Sequence, residues 1–278
     1  MLALWAVGDA GRDVPPARPI PTSPDAELEL LLNIPAYRLD VVERGARGRS
    51  YRVAIGMPEF PTPTERFTIA KVTWNPWWIP PDREWARNET ITPPGPKNPM
   101  GRVKLHAGGL LFLHGTPDTA SLGRAASHGC VRLSNADAIE LARAVQARAS
   151  PRLTPKDLDL LERNPSLTRT FVLDDPVPLT IVYEVAEVRD GTLLIHPDVY
   201  RRMRGGATLA EAEGALERAG IPASSVDTDR LAELVRASRR ETVAVPIDAL
   251  LLPRGDGGTA LSSPAPADPV GISRVGAC

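Results

Sequence analysis

The sequence predicts a mainly β chain of the α+β class, and three observations carry that prediction. Short segments alternate apolar and polar residues with the period of two that a half-buried strand requires. Proline, at 29 of 278 residues, is about twice its usual share and favours loops and ordered turns over a helical bundle. Helical periodicity is confined to a few short stretches, the clearest of them opened by recognisable caps.

Residues 1–26 begin with the short apolar run MLALWAVG, which fits the remnant of a secretory signal, a mis-assigned start or a first strand, and continue as a proline-rich linker. ELELLLN (27–33), YRLDVVE (37–43) and SYRVAIG (50–56) are strands of an antiparallel meander, with a turn at GARG (45–48). FTIAKVTW (67–74) is a fourth strand. The segment 75–99, dense in Pro and Trp, is too long for an ordinary connection and has the character of a lid or binding loop. RVKLH (102–106) and GLLFLH (109–114) form a hairpin across Ala107-Gly108 that delivers His114 at the end of a strand.

Beyond Cys130, Ser134 and Asp137 have the form of a capping box, and Ile139, Leu141, Ala142 and Val145 give the helical stripe that follows. A shorter helix opens at Thr154-Pro155 with Asp157 at its third position. FVLDD (171–175), PLTIVYEVAEV (178–188) and TLLIH (192–196) return to strand, with a turn at Arg189-Asp190-Gly191. Residues 205–252 then read as a small, mostly helical extension: two amphipathic helices broken at Gly220-Ile221-Pro222, with one more strand in 241–253. Residues 253–278 have little to bury and read as a disordered tail.

The 33 basic and 34 acidic side chains nearly cancel, which removes any general electrostatic case for nucleic acid or a polybasic membrane surface. No stretch approaches the roughly 20 apolar residues of a membrane helix. Two cysteines, one of them the terminal Cys278, make no disulfide framework.

Chemistry concentrates in HGTPDTASLGRAASHGC (114–130). A thiol is a good nucleophile only as thiolate, and a neighbouring imidazole supplies that state by taking its proton. His128, two residues from Cys130, is the nearer base along the chain; His114 reaches the thiol only if the intervening loop folds back. Gly129 permits close approach of a substrate, and the Gly129 and Cys130 amides are candidate oxyanion donors. A zinc site of His114, His128 and Cys130 is chemically sensible, but no other Cys or paired His spacing supports it. No metal and no cofactor is expected. His106 and His196 stand within strands as structural or surface residues.

SHGCVRL (127–133), preceded by HGTP (114–117), resembles the signature of the L,D-transpeptidases with the YkuD-type catalytic domain. TPTERFTIAKVTWNPWWIPP, PGPKNPMGRVKL and PVPLTIVYEVAEVRDG resemble further segments of that family, so that the likeness covers about residues 27–203. It implies a compact, β-sandwich-like catalytic domain with short helices over 27–204. It also implies a bacterial-envelope enzyme, of the periplasm, acting on peptidoglycan tetrapeptide stems. Cys130 would attack the carbonyl of the third stem residue and expel D-alanine. The thioester would pass to an amine of a neighbouring stem, making a 3→3 cross-link, or to a protein lysine. Water as acceptor would make the chain an L,D-carboxypeptidase, and a catalytically silent peptidoglycan-binding protein is the non-enzymatic alternative. Carbapenems would acylate the same thiol.

By the same resemblance His114 takes the place of the general base and Gly115 that of the residue whose carbonyl orients it. Ser127, His128 and Gly129 take the wall and oxyanion region, and Arg132 the contact to a substrate carboxylate. Trp78, with Trp77 and Trp85, would lie in the lid over the donor peptide.

Overall fold

The computed structural model describes residues 26–150 and 152–252. The expected linker over 1–25 and tail over 253–278, with Cys278, lie outside the described residues.

The meander forms as its alternation dictates: β1 (Glu29–Asn33), β2 (Arg38–Glu43) and β3 (Ala46–Arg52) pair antiparallel in chain order. The β2–β3 turn is tighter than the expected GARG loop. Arg44 and Gly45 both take positive φ (49° and 78°), the two-residue geometry that matches strand twist, so β3 starts at Ala46 rather than Ser50. Exposed Arg47 and Arg49 hide that start in the sequence.

β4 (Ile55–Gly56) leaves the sheet, and β5 (Arg66–Trp74), β6 (Val103–Gly108) and β7 (Leu111–Thr116) continue it as an antiparallel run. The β6–β7 turn sits at Gly109-Leu110, two residues beyond the expected position, because Gly108 (φ 119°) and Gly109 (φ 53°) take the conformations that other residues resist. β8 (Ala125–Ser127) pairs with β4, and β9 (Val131–Ser134) runs parallel to β7.

Ser134 then caps α1 (Asn135–Ala149), its hydroxyl accepting from the Asp137 amide at 3.0 Å. Thr154 and Asp157 make the capping box of α2 (Pro155–Arg163). β10 (Arg169–Val182) joins two expected strands into one, with a bulge between Val172 and Val177 that accommodates Pro176.

The large sheet has the order β3-β2-β1-β10-β5-β6-β7-β9. Its edges meet: Ala54, just past β3, and Arg132 of β9 exchange N–H···O bonds of 2.9 Å in both directions. The sandwich-like enclosure is therefore one curved sheet with a seam. Its core holds Trp74, Leu105, Leu113 and Leu179 together with the buried face of α1, Ala138, Leu141, Ala142 and Val145.

A second core begins at Val185. There β11 (Ala186–Arg189) and β12 (Thr192–Ile195), joined by the turn Asp190-Gly191, form a three-stranded sheet with β13 (Val243–Pro246). α3 (Leu209–Arg218) and α4 (Thr228–Ala237) complete it. α3 ends where Gly220-Ile221-Pro222 directs: Gly220 takes φ 81°, and the Ile221 amide reaches back to the Leu216 carbonyl at 2.9 Å. Residues 205–252 thus hold the two expected helices and one strand, and the unit they belong to is α+β because strands 186–189 and 192–195 pack with 243–246. Among the described residues no helix is long and apolar enough to cross a membrane.

Candidate active site

Alternation along the strands creates the site. In β6 and β7 Val103, Leu105, Leu111 and Leu113 face the core, which turns Lys104, Phe112 and His114 to the other face. The cross-strand register sets Lys104 opposite His114, and His114 opposite Arg132 of β9. Cys130 precedes β9 by one residue, so the loop 117–129 does fold back to bring its thiol beside the strand that carries His114. His114, Cys130 and Arg132 line one cleft of ≈ 1100 Å³.

His114 is 4% exposed, and its Nδ1 lies 2.7 Å from the Gly115 carbonyl. A carbonyl only accepts, so the neutral ring carries its proton on Nδ1 and leaves Nε2 as the basic nitrogen. Burial drives the imidazole down to about 4, the Gly115 bond opposes this, and Arg132 and Lys104 reinforce it. Burial also pushes the Cys130 thiol up, against the pull of the Phe112 amide, Arg132 and Lys104. Cys130 Sγ donates to the Leu110 carbonyl at 3.4 Å. At neutral pH the pair is therefore thiol and imidazole rather than thiolate and imidazolium. Gly115 itself is packed too tightly for a side chain, since a Cβ there would overlap Asn135 Oδ1.

The loop before the thiol is held from several sides. Buried Ser127 donates to the Cys130 carbonyl at 2.6 Å and accepts from the Gly129 amide at 3.1 Å. That bond occupies one of the two candidate oxyanion donors and leaves the Cys130 amide as the other. Gly129 has φ 107°, strained for any other residue. Its carbonyl accepts from Thr62 Oγ1 at 2.9 Å, and Thr62 Oγ1 accepts from the Gly56 amide at 2.9 Å. Tyr200 closes the clamp, its hydroxyl accepting from the Thr62 amide at 3.1 Å and donating to the Gly56 carbonyl at 2.8 Å. The sequence offers no sign of Thr62 or Tyr200, because only the fold brings them to residue 129.

His128 points elsewhere. Its ring stacks on Trp85 at 3.9 Å and 8° and meets Phe60 at 4.9 Å. Trp85 belongs to the long segment after β5, which forms the wall over the cleft with Trp77 and Trp78. Trp77 and Trp85 are 49% and 36% exposed, whereas Trp74 is fully buried in the core, so the three later tryptophans are not core packing. Buried Asn98 orders this wall, donating to the carbonyls of Pro76, Thr92 and Pro93. Among the described residues no three His, Cys, Asp or Glu side chains are grouped to hold a metal ion.

Of the other histidines, His106 shares a hydrogen bond with Thr73 at 2.9 Å, and His196 sits buried against Glu187 at 2.9 Å.

Residues 28–177 match the L,D-transpeptidase catalytic domain family, YkuD. This match spans more than half of the chain, which therefore belongs to that family. It is 37% identical over 90 residues to the probable L,D-transpeptidase YbiS of Escherichia coli K12, covering 32% of this chain and 23% of that protein. To the probable L,D-transpeptidase YcfS of the same strain it is 34% identical over 128 residues, 41% of this chain and 40% of that one. The chain thus spans well under half the length of these curated relatives. An L,D-transpeptidase structure from Mycobacterium smegmatis aligns at 20% identity over 56% of this chain and 59% of that one, with a TM-score of 0.35, a likeness too loose to bear on fold or chemistry.

Proposed function

We propose that the chain is a cysteine acyltransferase acting on peptidoglycan stem peptides in the bacterial envelope, on the periplasmic side. Family membership supports the class of reaction. The observation that carries the residue roles is the pairing of β7, which holds His114, with β9, which Cys130 immediately precedes; both side chains line one cleft, with Gly115 holding the ring.

In this reading His114 Nε2 takes the thiol proton as Cys130 Sγ attacks the carbonyl carbon of the third stem residue. The Cys130 amide stabilises the developing oxyanion. Collapse of the tetrahedral intermediate breaks the peptide bond, and His114 returns the proton to the departing amine of D-alanine. An acceptor amine then attacks the thioester, loses its proton to His114 and restores the thiol. Arg132 binds the carboxylate of the leaving residue, Ser127 and Gly129 shape the loop, and His128 and Trp78 line the donor channel. An amine of a second stem gives a 3→3 cross-link, a protein lysine gives an anchored lipoprotein, and water gives a carboxypeptidase. The catalytic unit runs over residues 27–204, shares β11 and β12 with the second core, and includes the Tyr200 clamp.

Incubation with disaccharide-tetrapeptide followed by mass spectrometry tests this. Cross-linked dimer with release of D-alanine is expected, and simple loss of D-alanine identifies the hydrolytic variant. Cys130→Ala should abolish both products and the covalent adduct formed with a carbapenem. Activity retained by Cys130→Ala would overturn the assignment.

A further inference from the structure

Lys104 enters the site so far only through its charge, yet its side chain lines the same cleft as His114 and Cys130. It is directly opposite His114 in the β6–β7 ladder, and His114 is opposite Arg132. Strands lie about 4.8 Å apart, so the backbones that carry the two cations stand about 10 Å apart, on either side of the histidine's strand and on the same face of the sheet. The Lys104 ammonium is held over the Phe112 ring, 4.7 Å from its centroid, a contact that orients a cation without neutralising it.

Among the described residues neither Lys104 nor Arg132 makes a salt bridge. Asp118 attracts Arg132 at longer range, and Glu59 and Glu84 also line the cleft without an ion pair to either cation. Two half-buried cations without carboxylate partners are costly and are relieved by anionic groups that reach them.

The geometry points to Lys104 as a second anion subsite, selecting donor stems whose third residue is a diamino diacid with a free distal carboxylate. This rests on the acyl-transfer reading above. Arg132 takes the carboxylate of the leaving residue, and Lys104 takes the distal carboxylate at the far side of the scissile bond. Amidation of that carboxylate, or its absence in a lysine stem, leaves the ammonium without its partner.

The test compares a free-acid diamino-diacid tetrapeptide donor with its amidated counterpart and a lysine-containing counterpart. It follows turnover by the full chain and, in parallel, equilibrium binding to the Cys130→Ala protein. The native chain should prefer the free acid by roughly 10-fold or more in kcat/KM and in affinity, the scale of a charged hydrogen bond. Lys104→Met should collapse the ratio towards one, and Lys104→Arg should restore most of it. Turnover of all donors without a preference overturns the subsite and leaves the acyl-transfer reading standing. Preferential binding without turnover upholds the subsite and overturns the reaction. A ratio unchanged in Lys104→Met assigns the preference elsewhere and also overturns the subsite.

Discussion

At the scale of single residues, the bond from His114 Nδ1 to the Gly115 carbonyl sets both the tautomer and a pH dependence. The folded imidazole sits at about 4 against an ordinary value of 6.5, so between those values the unfolded chain binds a proton that the native chain refuses. Stability is fully present above about pH 6.5 and is lost as pH falls towards 4. For this one buried group the loss is on the order of 2 kcal/mol at pH 4.5. Urea unfolding at pH 7.5 and 4.5 should show a larger difference than that, because His106 is also held down to about 4, and His114→Gln should shrink it by about 2 kcal/mol; equal differences in the two proteins would contradict it. His114 and Cys130 are legible in the sequence because their spacing and neighbours are distinctive. Lys104 is not, since a lysine alternating with Val103 and Leu105 reads as an ordinary solvated strand face. Only the proline- and tryptophan-rich wall above it makes the position unusual. His128 misleads for the opposite reason: proximity in sequence favours it as base, while Trp85 and Phe60 hold its ring.

At the scale of elements, the loop that presents the thiol is positioned through Thr62, a fully buried residue whose hydroxyl joins the Gly56 amide to the Gly129 carbonyl. That carbonyl belongs to the same peptide group as the Cys130 amide, so Thr62 orients the proposed oxyanion donor without touching substrate. Thr62→Val keeps the shape and removes the bonds. It should cost about 1–3 kcal/mol of stability and slow acylation of Cys130 by a carbapenem roughly 10-fold. Thr62→Ser, which keeps the hydroxyl, should recover most of the rate even if it recovers little stability. Strands with clean alternation, such as β2 and β5, are readable from sequence to within a residue. The turns are less so, because the left-handed pair Arg44-Gly45 and the Gly108-Gly109 kink shift the boundaries by a few residues. The split at residues 183–185 is invisible because PLTIVYEVAEV runs apolar across it, while Asn33 holds the backbone of Glu184 and diverts the chain into the second unit.

At the scale of the molecule, two cores are joined by a largely buried ionic network. Arg38 bonds Glu187 at 2.6 Å and Asp40 at 3.0 Å, Arg189 bonds Asp40 at 3.0 Å, and His196 adds to Glu187. Burial alone would raise the Glu187 carboxyl; the hydrogen bonds from His196 and Arg38 and the charge of Arg38 hold it well below the usual carboxylate range. Glu187→Ala leaves Arg38 buried and short of a partner and should cost about 3–5 kcal/mol, read as a lower midpoint in chemical unfolding. The pairings between β2 and β11 are not visible in the sequence, where the two strands are far apart and each charge looks like surface. The sheet order carries one more consequence. β1, β2 and β3 form one half of the sheet, and β5, β6, β7 and β9 the other. β10 bridges them in the middle, and the seam at Ala54 and Arg132 bridges them at the edges. Since β10 follows β9 in the chain, an emerging polypeptide holds Cys130 and His114 well before it holds the keystone strand. The thiol's surroundings therefore close only after a strand that contributes no side chain to the cleft has been made.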